Sequence, residues 1–166
     1  MKRNFCIIAL LFFSMICLSS CSYDITEEVR ATLLAGCEYE GTISIDQTES
    51  KVKLSISENN SCSLLFTEGQ MEGIEYFFSE NRQENILKDL SYPLSRPTKY
   101  ILIRDCIAYL KNQSYDLQGK RGGVFSFKFI EGSAEIRLSW DDGLKAPKEI
   151  SCKTSDTQMT FKFYRN

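Results

Sequence analysis

An alternation of apolar and polar residues with a period of two is the feature that most limits how this chain can fold. The pattern is clearest late in the chain, where Phe125, Phe127 and Phe129 alternate with Ser126 and Lys128. Successive side chains of a β-strand point to opposite faces of the sheet, so this period predicts a strand with one buried face. A chain rich in such segments is expected to form an antiparallel sheet that packs its apolar face on a core.

Eight segments carry this strand pattern. They are residues 42–46, 51–57, 62–66, 71–78, 125–129, 134–140, 147–152 and 159–163. Polar turn residues separate several of them, at positions 46–50, 58–60, 131–132 and 141–143. Short polar connections favour hairpins between consecutive strands, which predicts an antiparallel meander on either side of the centre of the chain.

Two other segments follow helical spacing. Residues 25–34 have Thr26 as a candidate N-cap and acidic residues in the first turn, and Gly36 is expected to end the helix. A second amphipathic helix is predicted up to about Asn112, with Ser95 or Thr98 as its cap. Its apolar positions recur at spacings of three and four: Tyr100, Leu102, Ile103, Cys106, Ile107, Tyr109 and Leu110. We expect this stripe to cover the apolar face of the sheet.

Two stretches carry weaker patterns. Residues 86–90 fit a strand or a helical turn, and the sequence leaves that choice open. Residues 119–123, a Gly-Lys-Arg-Gly-Gly run, lack the Lys-Ser/Thr ending of a phosphate-binding loop and are interpreted as a plain loop. Together the segments predict an α+β fold, in which a curved antiparallel sheet of about eight strands is packed by an N-terminal helix and a central helix.

The N-terminus is organised like a signal peptide. Lys2 and Arg3 precede an apolar run over residues 5–18. At about 1.5 Å per residue this run is too short to span a membrane as a helix, for which roughly 20 residues are needed. A permanent transmembrane anchor is therefore the weaker interpretation.

The signal-like run leads into Leu18-Ser19-Ser20-Cys21, which resembles the bacterial lipobox, an aliphatic residue and two small residues before a lipidated cysteine. The resemblance implies cleavage before Cys21 and a diacylglyceryl group on its sulfur, whose two acyl chains suffice to anchor the protein. The alternatives are an ordinary secretory signal cut near Ser20 and an uncleaved helix.

The lipobox resemblance implies a division of the chain. Residues 1–20 are predicted to be the signal peptide, residues 21–24 a lipidated tether and residues 25–166 a single domain. The mature chain is then expected to be extracytoplasmic and anchored to the cell membrane, or to the outer membrane if the cell has two.

Four cysteines remain beyond the signal segment and Cys21, namely Cys37, Cys62, Cys106 and Cys152. An even number in an exported domain permits two disulfides, and the sequence leaves all three pairings open. Buried free thiols fit equally well, because Cys62, Cys106 and Cys152 fall on predicted apolar faces. No CxxC spacing occurs, so neither a zinc site nor a thioredoxin-like redox site is predicted.

Charge argues against a nucleic-acid partner. Without Lys2 and Arg3 the chain keeps 18 of its 20 basic residues against 22 acidic ones. Its largest basic cluster is Lys120-Arg121, whereas duplex binding needs a patch that neutralises several phosphates. We expect no binding to nucleic acid.

The residue inventory also argues against catalysis. Histidine is absent, which removes the commonest general base and the histidine-dependent triads. A carboxylate pair cleaves glycosides at a separation of about 5 to 10 Å, and the candidate acids are Glu135, Asp141, Asp142 and Glu149. The Asp-Asp-Gly run is, however, typical of a hairpin turn. We expect no enzyme activity, no metal and no cofactor.

The closing segments resemble a known family. Residues 136–143 (Ile-Arg-Leu-Ser-Trp-Asp-Asp-Gly), 147–150 (Pro-Lys-Glu-Ile) and 161–163 (Phe-Lys-Phe) are similar to the final hairpins of LolA-like lipoprotein-carrier and lipid-binding domains. In that family a bent antiparallel sheet wraps around helices and leaves an apolar cleft for acyl chains. The resemblance implies a half-barrel over residues 36–166. It carries over no site residue, because that family binds acyl chains through generic apolar surface.

Two functions remain open at this point. The 11 phenylalanines and eight tyrosines, with a LolA-like cleft, fit a module that binds a lipid or another apolar ligand. The alternative is a non-catalytic interaction or structural protein that docks an envelope protein through its surface or an edge strand. An open apolar cleft on the order of several hundred Å³ favours the first function, and a filled interior favours the second.

Overall fold

The computed structural model describes residues 25–59, 61–80, 82–87, 90–94, 98–112, 116–131 and 133–164. The predicted signal peptide, the lipobox with Cys21 and the tether all lie outside the described residues. In the ranges that are described, no helix has both the length and the apolar character needed to cross a membrane.

The described chain contains two α-helices, eleven β-strands and a short 3-10 turn. The helices are α1 (Ile25–Leu34) and α2 (Ile101–Asn112), and the 3-10 turn is Gly69–Met71. The strands are β1 (Cys37–Ile45), β2 (Thr48–Ile56), β3 (Cys62–Phe66), β4 (Ile74–Phe78), β5 (Gln83–Leu87), β6 (Leu90–Pro93), β7 (Asp116–Arg121), β8 (Val124–Glu131), β9 (Ala134–Asp141), β10 (Ala146–Lys153) and β11 (Gln158–Phe163).

All the strands belong to one antiparallel sheet in the order β6-β5-β4-β3-β2-β1-β11-β10-β9-β8-β7. Strands β1 to β6 form one meander, α2 follows, and β7 to β11 form a second meander. The two are joined in the middle, where β1 pairs with β11 and Ile43 faces Phe161. The sheet is therefore open, with β6 and β7 as its edges.

The sheet bends around α2. Tyr100, just before α2, places its ring 5.4 Å from that of Tyr76 in β4, whereas Tyr109 near the other end of α2 lies 5.3 Å from Phe129 in β8. Seven strand spacings separate β4 from β8, which would be about 34 Å in a flat sheet at roughly 4.8 Å per spacing. The two tyrosines are only about 14 Å apart along a helix axis. The predicted curvature is thus present.

The concave face of the sheet and both helices form one apolar core. On α1 the buried positions are Ile25, Val29 and Leu33, which recur every four residues and so share one side of the helix. The convex face is polar, as at the pair Thr42 and Lys162. Each large aliphatic side chain buried in this core contributes roughly 1.5 to 3 kcal/mol to folding.

The predicted helices are confirmed. Helix α1 has the bounds expected, and Gly36 follows it with a φ of 72°, a left-handed conformation that glycine adopts without strain. Helix α2 ends at Asn112, and Thr98 Oγ1 accepts a hydrogen bond of 3.5 Å from the backbone N–H of Tyr100. Ser95, the other candidate cap, lies outside the described residues.

The α+β class with an antiparallel sheet is confirmed, but the predicted number of strands is too low. The additional strands are β5, β6 and β7, and β7 includes part of the run 119–123 that was interpreted as a loop. β6 and β7 are exposed edge strands, so they need no regular alternation of apolar and polar residues. β5 is partly buried, but its buried and half-buried positions include the polar Gln83, Glu84 and Asn85, so no alternation marks it. Pairing with a neighbouring strand therefore determines the structure of all three.

Candidate functional site

The face of the sheet beneath the helices is filled. Ile103, Ile107 and Leu110 of α2 are buried there. The largest side chains of the interior are also almost fully buried, namely Trp140, Phe66, Phe78, Phe127 and Phe161. Over the described residues, the space between helices and sheet is therefore a packed core and not an open cleft for a ligand.

A groove with an aromatic floor lies at one end of the sheet, where β1 and β10 begin and β11 ends. It has a volume of about 300 Å³. We call it the aromatic groove, and its apolar lining consists of Tyr39, Leu144, Ala146, Pro147, Phe163 and Tyr164. Its polar walls are Glu38, Glu40, Asp141 and Lys148.

Aromatic rings pack edge to face at the floor of the groove. The ring of Tyr39 lies 4.9 Å from that of Phe163 at an angle of 83°, and Phe163 lies 4.7 Å from Phe161 in the core. Such pairs are favourable because the positive ring edge meets the negative ring face. Burial raises the pKa of Tyr39 well above its ordinary value, so its hydroxyl is neutral at physiological pH. The floor is therefore uncharged.

Gly41 makes this aromatic packing possible. It pairs with Phe163 across the β1–β11 ladder. A Cβ atom at this position would lie 2.7 Å from the ring of Phe161 and would also clash with the backbone oxygen of Lys162. Because glycine leaves this space free, the Phe161 ring lies directly on the β1 backbone and supports Phe163 from below.

The mouth of the groove exposes two large apolar side chains, Leu144 with 54% and Tyr164 with 43% of its surface accessible. Leu144 is held in place by Asp141, whose Oδ1 accepts hydrogen bonds from the N–H groups of Gly143 at 3.0 Å and Leu144 at 3.1 Å. The Asp-Asp-Gly run thus forms the turn that was predicted. Its effect is to fix an exposed leucine at the mouth.

The mouth lies beside the start of α1. Lys145, next to Leu144, contacts Asp142 at 2.9 Å and Glu28 in the first turn of α1 at 3.3 Å. Ile25, the first residue of α1, is four residues from Cys21, a span of at most about 14 Å for an extended chain. The aromatic groove therefore opens near the start of the described chain.

The other main depressions of the described surface have polar walls. One of about 350 Å³ is lined by Asn59, Glu80, Arg104, Asp105, Ala108, Tyr109 and Asn112. A larger one of about 480 Å³ is lined by Thr42, Thr48, Glu49, Ser50, Lys51, Glu68, Gly69, Gln70 and Met71. Met71 is the one large apolar side chain in that lining, so the depression offers no aromatic floor, and desolvating its charged groups is unfavourable.

The candidate catalytic acids are distributed over the molecule. Glu135 at the start of β9 is ion-paired with Lys128 and Arg137, which lowers the pKa of its carboxyl group. Lys120 and Lys145 likewise lower the pKa of Asp142. A general acid needs the opposite shift.

Asp141 lies at the far end of β9, about 20 Å from Glu135 at roughly 3.3 Å per residue, and its carboxylate is used by the turn. Glu149 lies on β10 opposite Ser139. In the described ranges, no group of three or more His, Cys, Asp or Glu side chains is placed to hold a metal ion. The absence of enzyme activity remains a prediction.

No disulfide joins the four cysteines in this structure, and two of them lie on elements that pack together. Cys106 in α2 and Cys152 in β10 are both buried in the core, where α2 packs on β10. Cys37 and Cys62 both pair with Ile56, from opposite sides of β2. Two strand spacings of about 4.8 Å therefore separate them, more than the roughly 7 Å that a disulfide spans between Cα atoms.

An exposed apolar strip on edge strand β6 was not predicted. Leu90 is 59% and Tyr92 is 53% accessible, and they pair with Leu87 and Asn85 of β5. Through β5 these residues share the concave face with Ile74. The neighbouring Pro93 is the one sequence feature that indicates an edge strand, because proline cannot donate to a ladder.

Comparison with known proteins gives distant similarities only. No family model matches the chain, and no curated protein matches it. The solved structures that are similar include the lipoprotein LppX of Mycobacterium tuberculosis, with 11% identity, a TM-score of 0.43, and coverage of 87% of this chain and 95% of that chain.

Two further similar structures are LprF from Mycobacterium bovis and a LolA superfamily protein from Nitrosomonas europaea. LprF has 9% identity and a TM-score of 0.43, covering 85% of this chain and 90% of its own. The LolA superfamily protein has 11% identity and a TM-score of 0.37, covering 89% and 93%. These values are too low to establish a shared family.

Proposed function

We propose that this chain is a lipid-anchored extracytoplasmic protein, without catalytic activity, that binds the acyl chain of a small lipid in its aromatic groove. The observation that carries the proposal is the groove itself: an uncharged aromatic floor and an exposed, fixed leucine beside the first turn of α1. The filled interior excludes the centre of the concave face as the place of binding.

The size of the groove limits the ligand to one chain. A volume of about 300 Å³ lies at the lower end of the range for small-molecule sites. Burying about ten methylene groups gains roughly 8 kcal/mol before the loss of ligand freedom is subtracted. The expected dissociation constant is therefore at best micromolar.

The charge of the walls limits the head group. Glu38, Glu40 and Asp141 face the groove with Lys148 as the one cation of its lining. Glu38 is ion-paired with Lys53 at 2.7 Å, which lowers the pKa of its carboxyl group and keeps that group ionised at neutral pH. This acidic surround disfavours a fatty-acid carboxylate and favours an uncharged head group, such as the glycerol of a monoacylglycerol.

Native mass spectrometry of residues 22–166, purified without detergent and mixed with a medium-chain monoacylglycerol, tests binding. The wild type is expected to gain the mass of one ligand, and the fatty acid of the same length is expected to bind less. Leu144→Asp is expected to abolish the added mass. Leu117→Asp is the matched control, because Leu117 is 49% exposed but lies on β7 outside the groove. Equal loss in both variants would contradict the assignment.

The anchor has its own test. Cys21→Ala is expected to leave unprocessed precursor, because the lipobox peptidase acts only after the cysteine is lipidated. Normal processing of this variant would contradict the proposed lipid anchor at Cys21. It would not affect the binding test, which uses residues 22–166.

A second candidate function is favoured by the strip on β6. Leu90 and Tyr92 are exposed on the edge strand β6, beside the exposed Leu87 of β5, and the outer backbone groups of β6 suit strand addition by an envelope protein. A photo-crosslinking residue placed at Tyr92 and, in parallel, at Leu144 separates the two functions. Protein adducts confined to position 92 favour docking, and lipid adducts confined to position 144 favour the groove.

A further inference from the structure

We infer that Cys106 and Cys152 form a disulfide bond that fastens α2 to the middle of the sheet. Cys106 lies on the buried side of α2, between Ile103 and Ile107, and is fully buried. Cys152 points from β10 into the same core, where its ladder partners are Ile136 and Met159. Helix α2 packs on β10, and both thiols belong to the same apolar core.

Cys37 and Cys62 cannot form a second disulfide with each other. Ile56 separates Cys37 from Cys62 in the ladder, so that pair is too far apart to close. Cys37 donates instead to the backbone oxygen of Thr32 at 3.9 Å. The structure therefore favours none of the three arrangements with two disulfides. It favours a single bond between Cys106 and Cys152, with Cys37 and Cys62 left as free thiols.

The reaction is a thiol–disulfide exchange with an external disulfide of the oxidising compartment. Cys106 and Cys152 each lose their S–H bond, and one S–S bond forms between them. The two electrons and two protons pass to the external disulfide, which is reduced to two thiols. Because both thiols are buried in the folded chain, the exchange takes place before the core closes. The bond then keeps α2 on β10 and holds the concave face shut, which leaves the aromatic groove as the open apolar site.

Two questions can be tested separately: whether the bond forms in the cell, and which cysteines it joins. Formation in the cell depends on the extracytoplasmic location proposed above, whereas the choice of partners depends only on where the fold places the cysteines. The full-length chain is to be prepared in two ways: extracted from membranes with its thiols blocked by N-ethylmaleimide at lysis, and refolded from the reduced, denatured state in a buffer of reduced and oxidised glutathione.

Trypsin places the two cysteines in the short peptides 105–111 and 149–153, which are bounded by lysine and arginine. The expected result in both preparations is a linked pair of these peptides, lighter than their sum by two hydrogen atoms, with Cys37 and Cys62 alkylated. A linked pair found only in the refolded chain would support the Cys106–Cys152 bond and contradict the proposed extracytoplasmic location. Alkylation of both peptides in both preparations would overturn the inference.

Variants provide the matched control. Cys37→Ser combined with Cys62→Ser is expected to keep the linked peptides, and Cys106→Ser is expected to leave Cys152 free for alkylation after denaturation. A new bond from Cys152 to Cys37 or Cys62 in the wild type would also overturn the inference. Even if a serine variant fails to fold, the peptide map of the wild type alone shows which cysteines are linked.

Discussion

The interior beneath the helices and the aromatic groove are lined by similar side chains, yet one is closed and the other is open. In the interior, α1 and α2 lie over the middle of the sheet and exclude solvent from residues such as Phe127 and Trp140. At the groove, Phe163 and Leu144 have the same apolar chemistry, but none of the lining residues belongs to a described helix. The comparison shows that cover, rather than aromatic content, decides whether an apolar surface is core or binding site.

The largest effect is expected in the closed region. Trp140→Ala should lower the free energy of unfolding by about 3 to 5 kcal/mol, because it leaves a cavity in a packed core. Trp140→Phe should cost much less, since the indole N–H has no hydrogen-bond partner among the described residues. Urea denaturation followed by circular dichroism measures both. Equal losses in the two variants would mean that the N–H does have a partner.

The boundary between the two regions is expected to be the next most sensitive. Gly41→Ala should cost about 1 to 3 kcal/mol, because the new methyl group displaces Phe161 and the Lys162 carbonyl. The same variant should weaken ligand binding, since Phe161 supports the floor of the groove. The exposed variant Gly69→Ala is not a suitable control, because Gly69 has a φ of 86°. Gly119→Ala, with open space at its Cβ, is the control.

Lys111 is the charged exception inside the closed region and should give a smaller, pH-dependent effect. Its Nζ donates to the Ser57 carbonyl at 2.7 Å, and burial lowers the pKa of its ammonium group below 10.5. A base with a lowered folded-state pKa destabilises the fold while it is charged, and this penalty disappears as pH rises through the folded-state value towards 10.5.

Lys111→Met should therefore differ from the wild type most at neutral pH and least near pH 10.5. Urea unfolding at the two pH values measures that difference. A constant difference between the two proteins would show that the pKa of Lys111 is not lowered.

The smallest effect on stability is expected at the mouth of the groove. Leu144→Ser should change the free energy of unfolding by less than about 0.5 kcal/mol, because the side chain is already more than half exposed. It should nevertheless weaken lipid binding. A stability loss similar to that of a core variant would show that Leu144 packs on the domain and does not serve the ligand.

The sequence predicts the closed region better than the open one. Alternation reveals strands with one buried face, such as β8 and β9, and helical spacing reveals α2. Neither pattern exists in the exposed strands β6 and β7, or in β5, whose covered positions include the polar Glu84 and Asn85. Pairing with a neighbouring strand determines the structure of these three. The groove also escapes prediction, because it joins residues 39 and 163 from the ends of two strands with residue 144 from the turn between β9 and β10. Gly41 inside an otherwise regular strand is the signal that was overlooked, since such a glycine marks a close backbone approach.

The most direct test of the central claim uses the single tryptophan of the chain as a local reporter. Trp140 pairs with Pro147, a lining residue of the groove, at the roughly 5 Å spacing of adjacent strands. Bromine quenches tryptophan fluorescence only at near-contact range, so a monoacylglycerol brominated along its chain should quench Trp140 in the wild type and not in Leu144→Asp. Binding of this lipid without quenching would place the ligand elsewhere and contradict the account.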